Sequence, residues 1–108
     1  RGLDKCLFMF SEEEWRTQES KFKNISFTKQ EARTFNRLFF SGASDIAADR
    51  QGRILLPQYL KDYAEIKRDV LIVGVSNRVE IWAKEKWSAF YSASRPSFEE
   101  IAEKLIDV

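Results

Sequence analysis

Asp49-Arg50-Gln51-Gly52-Arg53-Ile54-Leu55-Leu56-Pro57 sets two arginines on a glycine turn and then passes at once into an apolar run. Asp49 suits the start of a tight turn because its carboxylate accepts hydrogen bonds from backbone amides just ahead of it, and Gly52 takes positive φ without steric cost. Such a turn points Arg50, Arg53 or both outward. Arginine's planar fork reaches guanine O6 and N7 together and also pairs with phosphate, and Gln51 between the two can address an adenine edge. An Asp-x-x-Gly-Arg match taken alone reads as no more than a hairpin turn, so its surroundings decide its meaning.

Downstream, Pro57 suits the first residue of a short helix containing Leu60 and Tyr63, since its missing amide has no helical partner there. Val70-Leu71-Ile72-Val73 is a continuous apolar run suited to a strand buried on both faces. Gly74 to Asn77 reads as a hairpin turn, and Arg78-Val79-Glu80-Ile81 alternates as a half-exposed strand does. The order predicted from about Ser44 to Tyr91 is strand, glycine loop, strand, short helix, strand, hairpin, strand, helix.

Three capping boxes open amphipathic helices elsewhere: Ser11 with Glu14, Thr28 with Glu31, and Ser97 with Glu100. Trp15, Glu19 and Phe22 share one face of the first, and Ala32, Phe35 and Phe39 one face of the second. Lys29, Arg33 and Arg37 line another face of the second at i, i+4, i+8. Phe98, Ile101, Ala102, Leu105 and Ile106 form the apolar stripe of the last, which reads as packing against this chain or a neighbouring subunit.

The bulk numbers narrow the class. A length of 108 residues fits one compact domain or one built of two similar halves, and 44% hydrophobic with 32% charged residues marks a globular chain. No apolar run approaches the ~20 residues that cross a bilayer, and no signal-peptide pattern is present, so a cytoplasmic site of action is expected. Histidine is absent and Cys6 is the single cysteine. A Ser/His/Asp or Cys/His catalytic pair is therefore excluded, as is a thiolate zinc site, and neither an enzyme nor a cofactor is expected. Cys6 beside Leu7, Phe8 and Met9 reads as a packed strand residue.

Net charge is only +1, so its distribution matters more than its sum. From Arg16 to Arg37 six basic residues oppose Glu19 and Glu31, while from Arg95 onward Glu99, Glu100, Glu103 and Asp107 outnumber Arg95 and Lys104. Solvated helix faces carry such biases as well.

An internal repeat emerges at an offset of 72 residues: Gly2 falls on Gly74, Leu7 on Val79, Met9 on Ile81, Phe10 on Trp82 and Trp15 on Trp87. Each copy is a strand that feeds a helix with tryptophan in its first turn.

The loop, together with Cys6 to Phe10 followed by Glu12-Glu13-Glu14-Trp15, the stretch Ala32 to Ala43, and Gly74 to Trp82, resembles the MraZ family of SpoVT/AbrB-type transcription regulators. The resemblance implies an α+β fold, a swapped-hairpin β-barrel made of two AbrB-like halves with flanking amphipathic helices. Residues 1–15 are then the remainder of the first half, 16–43 a helical connector, 44–91 the second half and 92–108 a C-terminal helix.

It further implies a sequence-specific DNA-binding regulator, commonly a repressor, of a division and cell-wall gene cluster, acting on double-stranded DNA in the nucleoid as a ring-shaped homo-oligomer. Asp49, Arg50, Gln51, Gly52 and Arg53 carry the contact, with Arg50 standing where the family usually has lysine. Under the offset, the first copy's loop falls ahead of Arg1, so the chain is expected to be an N-terminally truncated form. The rival expectation is a structural or protein-interaction module, with Phe39, Phe40, Trp82 and Trp87 at subunit contacts and Arg53 capping its turn.

Overall fold

The computed structural model describes residues 1–106. Asp107, counted above in the acidic C-terminal bias, lies outside the described residues. In chain order the elements are β1 (Leu7–Met9), α1 (Glu12–Lys23), α2 (Gln30–Ser41), α3 (Gln58–Tyr63), β2 (Val70–Val75), β3 (Arg78–Ala83), α4 (Lys84–Ser94), a 3₁₀ turn (Arg95–Ser97) and α5 (Phe98–Leu105). The α+β class is as expected. The sheet has three antiparallel strands in the order β1-β3-β2 among the described residues, and it does not close into a barrel.

β2 and β3 form the expected hairpin, with Val75 opposite Arg78 and Ser76 at φ 54° in the left-handed region that such a tight turn demands. Their burial is the reverse of the expectation. β2 is an edge strand with Ile72 62% exposed, whereas β3 is central and buried from Glu80 to Ala83. The alternating polar residue that suggested exposure, Glu80, is buried because its charge is fully met. Oε2 accepts from Arg78 Nε at 2.9 Å and Nη2 at 2.8 Å, and Oε1 accepts from Trp82 Nε1 at 3.0 Å.

The pairing of β1 with β3 sets Leu7 opposite Ile81, Phe8 opposite Glu80 and Met9 opposite Val79. Under the offset of 72, the first and last of these pairs exchange and the middle pair maps onto itself, so a local twofold passes between Phe8 and Glu80. The turns entering the two strands agree at one position, Asp4 at φ 62° corresponding to Ser76 at φ 54°, and differ at the next, where Lys5 is at φ 62° and Asn77 is not in that region. Cys6, between turn and strand, is buried as expected. Its thiol donates to the Leu3 carbonyl at 3.2 Å, and burial, then the negative charges of Glu80 and Asp4, push its pKa up to about 11.

Leu7, Ala64 and Ile81 are the centre of the core, with Met9, Ile54, Leu56, Leu60, Tyr63 and Ile66 packed around them. α3 and the segment after the glycine loop therefore cover one face of the β1–β3 pair. α3 starts one residue later than expected, with Pro57 as its cap. α1 and α2 form a hairpin joined by aromatic contacts: Phe22 meets Phe35 and Phe39 at 5.0 Å between centroids, and Trp15 stacks on Phe39 at 5.6 Å.

Of the three capping boxes, the hydroxyl bond forms in the first, where Ser11 Oγ accepts from the Glu14 amide at 3.1 Å. α2 is capped at Lys29, and the Thr28 hydroxyl pairs instead with that of Ser26. Ser97 ends the 3₁₀ turn with ψ near 5°, a conformation that does not aim its side chain at the first amides of α5.

Truncating Glu80→Ala strands the Arg78 guanidinium and the Trp82 indole N–H together. The expected loss is about 2 to 3 kcal/mol, kept below the fully buried case by the partial exposure of Arg78. Urea denaturation measures it as a lower midpoint at unchanged slope, and an unchanged midpoint contradicts it.

Candidate nucleic-acid interface

The glycine loop is a self-contained clasp. Asp49 N donates to Arg53 O at 2.8 Å and Gly52 N to Asp49 O at 3.0 Å, closing the backbone. Asp49 Oδ1 accepts from the Gln51 amide and the Arg53 amide, each at 2.9 Å, as the sequence predicts for an aspartate opening a turn. Gly52 sits at φ 78° with open space where a Cβ would stand, so glycine is required there by conformation and not by crowding.

Asp49 does one thing the sequence reading missed. Its Oδ2 accepts from Arg53 Nε at 3.0 Å, holding the guanidinium by its inner edge. The i, i+4 spacing of the two residues carried that signal. The Arg53 side chain is 73% exposed, so the ion pair adds little to stability. Its consequence is orientation: Nε is occupied, and the Nη1/Nη2 end faces solvent. Arg50 and Gln51 are exposed, and neither side chain forms a hydrogen bond among the described residues.

The arms on either side of the loop are not the regular strands expected. Beyond the Asp49–Arg53 pair, no ladder joins 43–48 to 54–57 among the described residues. The downstream arm still alternates as a strand does, with Ile54 and Leu56 turned into the core and Leu55 85% exposed. A groove of about 640 Å³ is lined by the upstream arm at Ser44–Ile46, by β1 and by Trp15, and no strand pairs with the outer edge of β1 among the described residues. The arm's upper end is fixed at Gly42, whose carbonyl accepts from Tyr59 Oη at 3.0 Å. Arg1 Nη1 meanwhile donates to the Leu38 carbonyl at 2.8 Å, and a Cβ on Gly42 would collide with that guanidinium.

Two successive stretches, residues 1–38 and 39–108, match the family model described as "MraZ protein, putative antitoxin-like". The chain belongs to the MraZ family. Proteins named "Transcriptional regulator MraZ" from Heliobacterium modesticaldum, Carboxydothermus hydrogenoformans and Natranaerobius thermophilus are each 50% identical to it over 107 residues, spanning 99% of this chain and 75% of each relative.

In this MraZ-family chain the second basic feature, the row Lys29, Arg33 and Arg37, lies on α2 and apart in sequence from the loop. Arg33 is partly committed, since its Nη1 donates to the carbonyls of Phe27 and Thr28 at 3.0 Å each and so ties off the α1–α2 turn. No helix is long and apolar enough to cross a membrane among the described residues.

The Asp49 carboxyl lies below its ordinary value of 3.8, first because the Arg53 amide donates to it, and then because the Gln51 amide and the Arg53 side chain do. A depressed folded pKa means that the clasp's contribution is complete above 3.8 and is lost as pH falls through the lower folded value. The carbon-13 shift of the Asp49 carboxyl should therefore be flat from pH 7 to 5 and titrate with a midpoint below 3.8. A midpoint at or above 3.8 contradicts the clasp.

Proposed function

We propose that this chain is a sequence-specific transcriptional regulator whose Asp49–Arg53 loop contacts double-stranded DNA. In this reading it acts in the cytoplasm at the nucleoid, commonly as a repressor, on a division and cell-wall gene cluster. The relatives' names support regulation of transcription. The observation that carries the loop assignment is the Asp49 clamp on Arg53 Nε. It holds the arginine in one orientation with the Nη1/Nη2 fork open, the edge that reaches guanine O6 and N7 together. Arg50 is unclamped and suits a phosphate, which requires charge more than angle.

One loop is too small a contact for tight binding, because a bidentate pair discriminates by only ~1 to 3 kcal/mol. Repetition supplies the remainder if subunits form a ring that presents many loops to repeated DNA boxes. We read the chain itself as duplicated: 1–15 ends one AbrB-like half, 16–43 connects, 44–91 is the second half, and 92–108 is a terminal helix. The local twofold between β1 and β3, the positive φ shared by Asp4 and Ser76, and the two successive family matches all support this. The uncovered edge of β1 and the unladdered arms at 43–48 and 54–57 are the surfaces that closure into a swapped-hairpin barrel pairs.

The rival reading, in which Arg53 only caps its own turn, is favoured by the same Nε bond. It leaves the free fork and the unpartnered Arg50 without a use. Binding to the region upstream of the protein's own gene, followed by fluorescence anisotropy over a salt series, separates the two. Arg53→Ala should abolish discrimination between that region and unrelated DNA while leaving fold and assembly intact. Arg50→Ala should weaken both alike and flatten the salt slope. Undiminished discrimination by Arg53→Ala supports the rival.

A further inference from the structure

On the face of β1 turned away from the core, a cavity of about 270 Å³ opens between Phe8 and the α1–α2 hairpin. Packed interiors leave few voids larger than a water molecule, so an apolar opening of this size is a candidate ligand site. Five phenylalanines wall it in two edge-to-face sets. Phe8 meets Phe10 at 6.1 Å beside the sheet, and Phe22 meets Phe35 and Phe39 at 5.0 Å each within the helical hairpin. All five are half-buried, which leaves ring surface uncovered.

The charge around this cavity has one sign. Arg1 and Arg78 line it, and no carboxylate does among the described residues. Arg1 is half-buried, with Nη1 donating to the Leu38 carbonyl at 2.8 Å and its guanidinium 5.8 Å and 5.9 Å from the ring centroids of Tyr59 and Tyr63. It forms no ion pair among the described residues, so a cation drawn partly out of water stands without a counter-ion. Arg78 donates from Nε and Nη2 to Glu80 and from Nη1 to Asn77 Oδ1, and each of its terminal nitrogens keeps a second N–H. The segment that carries Arg1 is tied down, because the Gly2 amide donates to the Cys6 carbonyl at 2.8 Å and the Gly2 carbonyl accepts from Tyr63 Oη at 2.6 Å. The cation is therefore placed before a ligand arrives.

We propose that this cavity binds a small aromatic carboxylate, its rings among the phenylalanines and its carboxylate on Arg1. An apolar cavity of about 150 Å³ takes one benzene, so this volume has room for a second fused ring. Ring walls favour a planar ring over a flexible chain, because edge-to-face and offset contacts add to the burial. The unpaired guanidinium favours a carboxylate, which its planar fork meets with two hydrogen bonds. Leu3 and Leu38, 65% and 56% exposed, stand at the mouth. No residue of the Asp49–Arg53 loop lines the cavity, so its occupancy is testable apart from DNA binding.

The test is titration of the nitrogen-15-labelled protein with 2-naphthoate at neutral pH, followed by heteronuclear NMR. Saturating shifts at the Gly2, Leu38 and Asn77 amides, with a Kd of about 100 μM or tighter, are expected. The neutral 2-naphthamide and the aliphatic octanoate should each bind at least about tenfold more weakly. Arg1→Gln should cost 2-naphthoate about tenfold and leave 2-naphthamide unchanged, a split that a merely structural role of Arg1 would not produce. Leu38→Trp, at the exposed mouth, should weaken both.

A Kd for 2-naphthoate weaker than about 100 μM, a preference below about tenfold over either analogue, or shifts confined to other residues overturns the site. Undiminished binding of 2-naphthoate by Arg1→Gln overturns the placement of the carboxylate.

Discussion

Antiparallel pairing of β1 with β3 is the constraint on which the rest of the structure depends. β1 has three residues, so its backbone bonds alone hold it weakly, and the side chains must fix the register. Leu7 and Ile81 meet on the face that α3 and the downstream loop arm cover. On the other face Arg78 lies 4.5 Å over the Phe8 ring while its guanidinium meets Glu80, which in turn takes the Trp82 indole proton. A slip of one residue would take Leu7 from Ile81 and set it opposite Glu80 or Trp82, on the face away from the core, so both faces enforce the same alignment. The two tryptophan helices leave from opposite ends of this pair, and the loop arm rests on it through Ile54 and Leu56.

The consequence for the loop is a tip closed by its own hydrogen bonds on arms held at a few points. At the tip, one carboxylate satisfies two amides and one guanidinium nitrogen, so Arg53 is oriented before any partner arrives. Pre-organisation of that kind lowers the ordering cost of binding more than it raises the stability of the fold. Below the tip the arms are held at discrete points, by Tyr59 on Gly42 above and by Ile54 and Leu56 in the core below. The position of the loop is thus set by aromatic and apolar anchors, and its chemistry by Asp49.

Much of this was legible in the residues. The Asx turn at Asp49, the glycine requirement at position 52, the hairpin through Ser76 and Asn77, the Ser11 cap and the apolar stripe of α5 all follow from local rules that tertiary context leaves intact. The readings that failed are those that tertiary context decides. An apolar run at Val70–Val73 does not say that its strand lies at an edge, and alternation at Arg78–Ile81 does not reveal that Arg78 and Trp82 bury Glu80 between them. In the second capping box α2 is capped one residue past Thr28, whose hydroxyl pairs with that of Ser26, and in the third Ser97 has a backbone angle unsuited to capping; both depend on how the chain arrives. The Arg53–Asp49 ion pair was readable from its four-residue spacing. The commitment of Arg33 to the α1–α2 turn was not, because its acceptors are carbonyls that sequence does not distinguish.

Hydrogen–deuterium exchange with and without a DNA duplex from upstream of the protein's own gene tests the central claim most directly, since it reports on every backbone amide at once. Slowed exchange at Gln51, Gly52 and Arg53, with β1 and β3 unchanged, is the predicted result. Unchanged exchange across Asp49–Arg53 under saturating duplex, with protection appearing along α2 instead, would contradict the assignment of the loop.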